Sequence, residues 1–216
     1  MASKSGSVYG LTILSPIIDD PHASISHDLQ LRMYLGALKR DERSPFAKVT
    51  GTHVARLTVM NDVVFVGSPS KEEHLKSQYL VFESNFDGDL DSYLRTMATQ
   101  IPEHVEAVWS HCVGYPGTKN VEAFQAYMKK CELDSTFYFA DVNDKTVDQA
   151  LRALQTQAAV AAFIERNQGK PAAEIQQAFA AFLDALKNVP APVPGSGLTG
   201  LQAYQTPIIG GTIHHE

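Results

Sequence analysis

The sequence predicts an α+β fold built on one four-stranded antiparallel sheet with helices added after it. Three observations carry that expectation. Short β-rich segments at Val8–Ile17, Thr52–Met60, Ser77–Ser84 and Ser135–Val142 show the two-residue alternation of strands. The segments between and after them place apolar residues at helical spacing, as Leu90, Tyr93, Leu94, Met97 and Ile101 do. The order strand, helix, strand, strand, helices, strand is a split βαβ unit, βαββαβ.

The stretch Ser77 to Leu94, SQYLVFESNFDGDLDSYL, organises the rest. Tyr79, Val81 and Glu83 point to one side of its strand and Leu80, Phe82 and Ser84 to the other. Asn85-Phe86-Asp87-Gly88 reads as a turn. Asp89 and Asp91 then put negative charge in the first turn of a helix, where the macrodipole favours it.

Before that stretch, VYGLTILSPI is the first strand, stopped by Pro16 and Asp19-Asp20-Pro21. Ser24 to Arg40 reads as a helix with Ile25, Leu29 and Met33 on one stripe, continued by Gly36, and Leu31, Leu35 and Leu38 on a second. THVARLTVM is the second strand. The connection from Asn61 to Lys76 is long and mostly polar, a pattern of functional or mobile loops. After it, Pro102 suits the first position of a helix whose stripe is Val105, Val108, Trp109 and Cys112, ended by Gly114-Tyr115-Pro116-Gly117. Val121 to Cys131 is a further helix, and STFYFADV, residues 135–142, is the fourth strand. Thr146 with Gln149 resembles a capping box opening a helix to Asn167. Gly169 ends it, and Lys170-Pro171 opens the last helix, with Ile175, Phe179, Phe182 and Leu186 inward.

These elements give a disordered N-terminus at 1–7, one α+β domain over 8–189, a Pro/Gly linker at 190–197 and a tail at 198–216. The tail carries Leu198, Leu201, Tyr204, Ile208 and Ile209, too few to form a core, so it either docks on a partner as an extended peptide or stays disordered.

The chain has 18 Lys+Arg against 24 Asp+Glu, a formal net charge of −6, and no basic run, which argues against nucleic-acid and anionic-membrane partners. No apolar run approaches the about 18 residues of a membrane span, and MASKSGSVYG lacks a signal-peptide core. Cys112 and Cys131 make no metal-type pair by spacing and fit a reduced, cytoplasmic setting. Both alternation classes of the strands are substantially apolar. A sheet apolar on both faces needs cover from a second subunit, from the added helices or from a ligand.

Taken together, the βαββαβ order with THVARLTVMND, YLVFESNFDG and WSHCVGYPG resembles the ferredoxin-like dimeric α+β-barrel superfamily over residues 8–142. The resemblance implies a sheet-to-sheet barrel, either between subunits or within a longer chain, with a pocket on the helix-free face of the sheet, and small-molecule chemistry that includes cofactor-free and haem-dependent oxidoreductases; with both strand faces apolar, a homo-oligomer is expected. Within the haem branch, dye-decolourising peroxidases carry Gly-x-x-Asp-Gly with a distal aspartate. This chain has Ser84-Asn85-Phe86-Asp87-Gly88, matching at Asp87 and Gly88 but lacking the leading glycine.

The candidate catalytic cluster is Arg56 on the second strand with Glu83, Asn85 and Asp87 on the third. It reads either as a charged group in an apolar pocket, with a carboxylate base, or as an ordinary cross-strand ion pair. His111 is the candidate haem or metal ligand, against the plainer reading of a hydrogen-bonded histidine at a helix edge. His104, about 10 Å away by helix rise, cannot share its metal. The expected function is therefore a small-molecule pocket protein, either an oxidoreductase that uses haem or no cofactor, or a non-catalytic assembly protein.

Overall fold

The computed structural model describes residues 3–63, 67, 74–190, 192, 194 and 195. The chain divides into two compact units, Met1–Thr146 and Val147–Glu216, where the sequence pattern carried one domain to 189.

The first unit is an α+β layer. Its strands are β1 (Lys4–Ser5), β2 (Val8–Pro16), β3 (Thr52–Met60) and β4 (Tyr79–Asp87), antiparallel throughout, in the spatial order β1-β2-β4-β3. Helices α1 (His27–Ala37), α2 (Leu90–Gln100), α3 (Pro102–Trp109) and α4 (Val121–Lys130) belong to the same unit.

Alternation decides which face is covered. Leu80, Phe82 and Phe86 of β4 are fully buried, with Leu11 and Ile13 of β2 beside them. They pack against Leu94, Met97, Val105, Val108, Trp109, Phe124 and Met128 of the helices. Phe86 stacks on Tyr93 at 3.8 Å, and Trp109 meets Phe82 edge-on at 5.4 Å. A fully buried ring of this kind contributes about 1.5–3 kcal/mol through removal from water. Ser84 is the one polar side chain of β4 on this covered face. Its hydroxyl donates to the Val54 carbonyl at 2.9 Å and meets the Tyr93 hydroxyl at 2.8 Å, so the group is buried but satisfied.

The turn expected at residues 85–88 is shorter than its composition suggested. Asn85, Phe86 and Asp87 stay in β4, paired with Gly10, Tyr9 and Val8. Only Gly88, at φ 97°, bends the chain. Asp89 then caps α2 by accepting the Ser92 N–H at 2.9 Å.

The fourth strand expected at Ser135–Val142 does not form. The fourth sheet member is instead the two-residue β1, and the outer edge of β2 is completed by short bridges. Leu14 N–H donates to the Cys131 carbonyl and Leu133 N–H to Thr12, each at 2.8 Å, with Ile13 opposite Glu132. Farther along, Ile17 bridges Cys112. STFYFADV has strand propensity, but the edge it would have extended is already occupied. Phe137 and Phe139 are consequently 85% and 67% exposed. Propensity is context-dependent, and here the tertiary arrangement overrides it.

The second unit contains α5 (Val147–Asn167) and α6 (Ala172–Lys187), separated by a turn at Gly169 with φ 75°. Phe163 and Phe182, with centroids 4.8 Å apart, join the two helices. The 198–216 tail lies outside the described residues, as does most of the 64–73 stretch. Among the described residues no helix is long and apolar enough to cross a membrane.

Candidate functional site

The opposite face of the sheet carries no helix-facing core residue. It presents Gly10 and Thr12 from β2, Glu83, Asn85 and Asp87 from β4, and Val54 and Arg56 from β3. Arg56 and Glu83 occupy one rung of the β3–β4 ladder. The Arg56 Nε–H donates to Glu83 Oε2 at 2.6 Å, and Nη2 contacts the same oxygen. The pair is solvent-facing, with the Glu83 side chain 37% exposed. It is a cross-strand ion pair of the kind that contributes about 0–1 kcal/mol to stability, and Glu83 lacks the burial expected of a carboxylate base in an apolar pocket.

One side of this rung is walled. Residues 135–138 lie over β2, and the Tyr138 ring sits close against Gly10. A methyl group on Gly10 would come within 2.4 Å of Tyr138 Cε2 and 2.6 Å of Cδ2. Glycine is therefore needed for close approach and not for backbone freedom, because Gly10 does not have a positive φ. The Tyr138 hydroxyl donates to Asn85 Oδ1 at 3.0 Å. Burial raises its pKa above the ordinary phenol value, which keeps it a donor.

Between wall and rung lies an open cavity of about 360 Å³, lined by Gly10, Leu11, Thr12, Val54, Arg56, Glu83, Ser84, Asn85, Ser135, Phe137 and Tyr138. Three expected residues, Arg56, Glu83 and Asn85, meet there. Asp87 shares their face but lies outside the lining. Its Oδ1 is 2.9 Å from His53 Nε2, and its N–H donates to the Gly51 carbonyl. A bulge lies between Thr52 and Val54, where His53 meets Asp87.

His111 is not in this site. Its carbonyl accepts the Ile18 N–H, and its Nδ1 lies 2.9 Å from Nδ1 of His27, the first residue of α1. Burial first, and then His27, lower its pKa. His104 is likewise engaged, with its Nδ1 against the Tyr34 hydroxyl of α1. Asp87 pairs with Val8, whereas His111 pairs beyond Pro16 at Ile18. Those positions lie at and just beyond the two ends of β2, roughly 30 Å apart at strand rise. One haem cannot have His111 below its iron and Asp87 above it, and the two residues do not share a site. Among the described residues, no group of three or more His, Cys, Asp and Glu side chains is arranged to hold a metal ion.

The cavity's other walls, Tyr138, Phe137, Ser135, Gly10 and Thr12, were not anticipated as site residues. Gly10 was the legible signal, being a glycine inside an otherwise β-branched and apolar strand.

The fold and site define an α+β sheet protein with a polar, aromatic-walled cavity on the face its helices leave open. No family model, no curated protein and no solved structure matches the chain.

Proposed function

We propose that this chain binds a small molecule on the open face of its sheet, in the cavity walled by Tyr138. The observation that carries this reading is the Gly10–Tyr138–Asn85 arrangement. A missing side chain, a ring seated on bare backbone and a hydroxyl–amide hydrogen bond together hold one wall at a fixed distance from the Arg56–Glu83 rung. Such a cavity offers hydrogen-bonding groups on its floor and aromatic surface on its wall, the mixture that orients small ligands. The charge on the floor is a neutralised pair, which suits a polar uncharged or zwitterionic molecule with a flat apolar portion.

The α+β-barrel architecture is the finer fold we attach to this reading. It is supported by the position of residues 131–133, which lie against β2 where the last strand of a βαββαβ sheet would run. The reaction class that the resemblance adds is cofactor-free oxidation of the bound molecule, with dioxygen as the oxidant and electron acceptor. The cavity lining holds no histidine or cysteine that could ligate a haem iron.

A screen of small planar polar compounds, followed by amide chemical shifts of the labelled protein, tests the proposal. Binders should shift the amides of residues 10–12, 54–56 and 83–85 together, and Tyr138→Phe should weaken them several-fold. Shifts confined to other surfaces would sink it. A second reading, an assembly face, is favoured by the exposed Phe137 and Val54 at the cavity, with exposed Phe139 next in the chain. In that case Phe137→Ser with Phe139→Ser should lower the mass of an oligomer and leave no ligand to find.

A further inference from the structure

The open face of the sheet continues past the cavity. Along β4, Glu83, Asn85 and Asp87 face one side at successive two-residue steps. Arg56 and Val54 of β3 stand across from the first two. Beyond them, at the β3 bulge, His53 Nε2 lies 2.9 Å from Asp87 Oδ1. In a neutral ring this bond places the proton on Nε2 and leaves a lone pair on Nδ1. Among the described residues no hydrogen bond engages that Nδ1. The carboxylate is the more covered partner, 13% exposed against 24% for the imidazole, which sits on the edge strand of the sheet. The pair therefore presents the ring, and the acid holds it.

Asn85 stands between this pair and the Arg56–Glu83 rung. Its Oδ1 accepts the Tyr138 hydroxyl at 3.0 Å, so its amide N–H groups are the donors left to a bound molecule. Asn85 lines the cavity, as does Val54, the residue next to His53.

We propose that His53 is the base that moves a proton on a planar ketone bound in the cavity, with the Asn85 amide donating to the ketone oxygen and Asp87 positioning the imidazole. The assignment rests on the cavity reading above and names its ligand class. A donor and a base each about 3 Å from the ketone oxygen and from the neighbouring carbon stand roughly 6–8 Å apart. Asn85 and Asp87 are two residues apart on one face, about 7 Å at strand rise, and His53 is bonded to the second. Phe137 and Tyr138 give the flat part of the ketone a surface to lie against.

In the step, Nδ1 takes a proton from the carbon beside the carbonyl. The C–H electron pair becomes the new C–C double bond, and the carbonyl pair moves onto oxygen to give an enolate. The Asn85 N–H meets that charge as it develops. Return of the proton to carbon completes an exchange, and its return to oxygen completes a tautomerisation. Neither consumes an oxidant or a reductant.

β-Tetralone, a small uncharged planar ketone, is the probe. Entry of deuterium from heavy water at the carbon beside its carbonyl is read by proton magnetic resonance. The full chain should accelerate this entry while the amides of residues 10–12, 54–56 and 83–85 shift. His53→Gln should keep those shifts and slow the exchange at least about 100-fold. Asp87→Asn should lower kcat at least about 10-fold with KM unchanged, since it acts through the ring. Free imidazole should restore exchange to His53→Ala, a recovery that a purely structural role would not give. Binding without exchange, or a rate indifferent to His53→Gln, overturns the base and leaves the cavity reading standing. If β-tetralone shifts none of those amides, the ketone class falls and this assignment with it, and the cavity reading is decided by the wider screen.

Discussion

Gly10→Ala isolates the contact that builds the cavity wall. The substitution adds one methyl group at a strand position where alanine is conformationally allowed. Taken alone, it should stabilise the protein by about 0.4–1 kcal/mol by restricting the unfolded chain. In the native protein the methyl would meet three ring atoms of Tyr138 at 2.4, 2.6 and 2.8 Å. Ordinary carbon contacts lie at about 3.5–4.0 Å, so the ring must retreat by roughly 1 Å. That movement strains the 3.0 Å bond to Asn85 as well. Overpacking costs about 1–3 kcal/mol and loss of the hydrogen bond about 0.5–1.5 kcal/mol. The net expectation is destabilisation of about 0.5–4 kcal/mol after the backbone gain is subtracted. In a Tyr138→Ala background those three contacts are gone, and the sign should reverse to a gain of about 0.4–1 kcal/mol. Urea unfolding of the four proteins of this double-mutant cycle gives the coupling directly. Equal effects of Gly10→Ala in both backgrounds would refute the seating of Tyr138 on Gly10.

Three further outcomes are expected. Tyr93→Phe removes the hydroxyl that meets buried Ser84, and should cost about 0.5–1.5 kcal/mol in urea unfolding while the stacked ring is retained; no change would show that the Val54 carbonyl satisfies Ser84 alone. His111, whose folded pKa is depressed, contributes stability that is present in full above its ordinary value of 6.5 and is lost as pH falls through the folded value. His111→Gln should therefore flatten the loss of urea midpoint between about pH 7 and pH 5, and an unchanged slope would count against it. Asp89→Ala deletes the cap of α2, where the Ser92 N–H holds the carboxyl below its ordinary pKa. It should cost about 1 kcal/mol at pH 7, measured as a lowered urea midpoint, with a smaller loss once the carboxyl is protonated in acid.

By itself the sequence determined the local elements of this protein. Alternation in YLVFES and the stripe from Leu90 to Ile101 are each written within a few consecutive residues, and both appear where their periods place them. The Arg56–Glu83 rung was also legible, because adjacent antiparallel strands bring cross-strand partners onto one face. Tertiary structure decided the rest. STFYFADV has the composition of a strand, yet β1 and the short bridges at 131–133 and 112 occupy the β2 edge it would have extended. Propensity describes a segment, whereas a strand needs a free partner, and the partner's availability depends on residues more than a hundred positions away. The same holds for the candidate site. Nothing local to Tyr138 points to Gly10, and nothing local to His111 points to His27. Those contacts arise when chain segments far apart in sequence pack together, and only that packing separates His111 from Asp87 and builds a cavity wall from Tyr138.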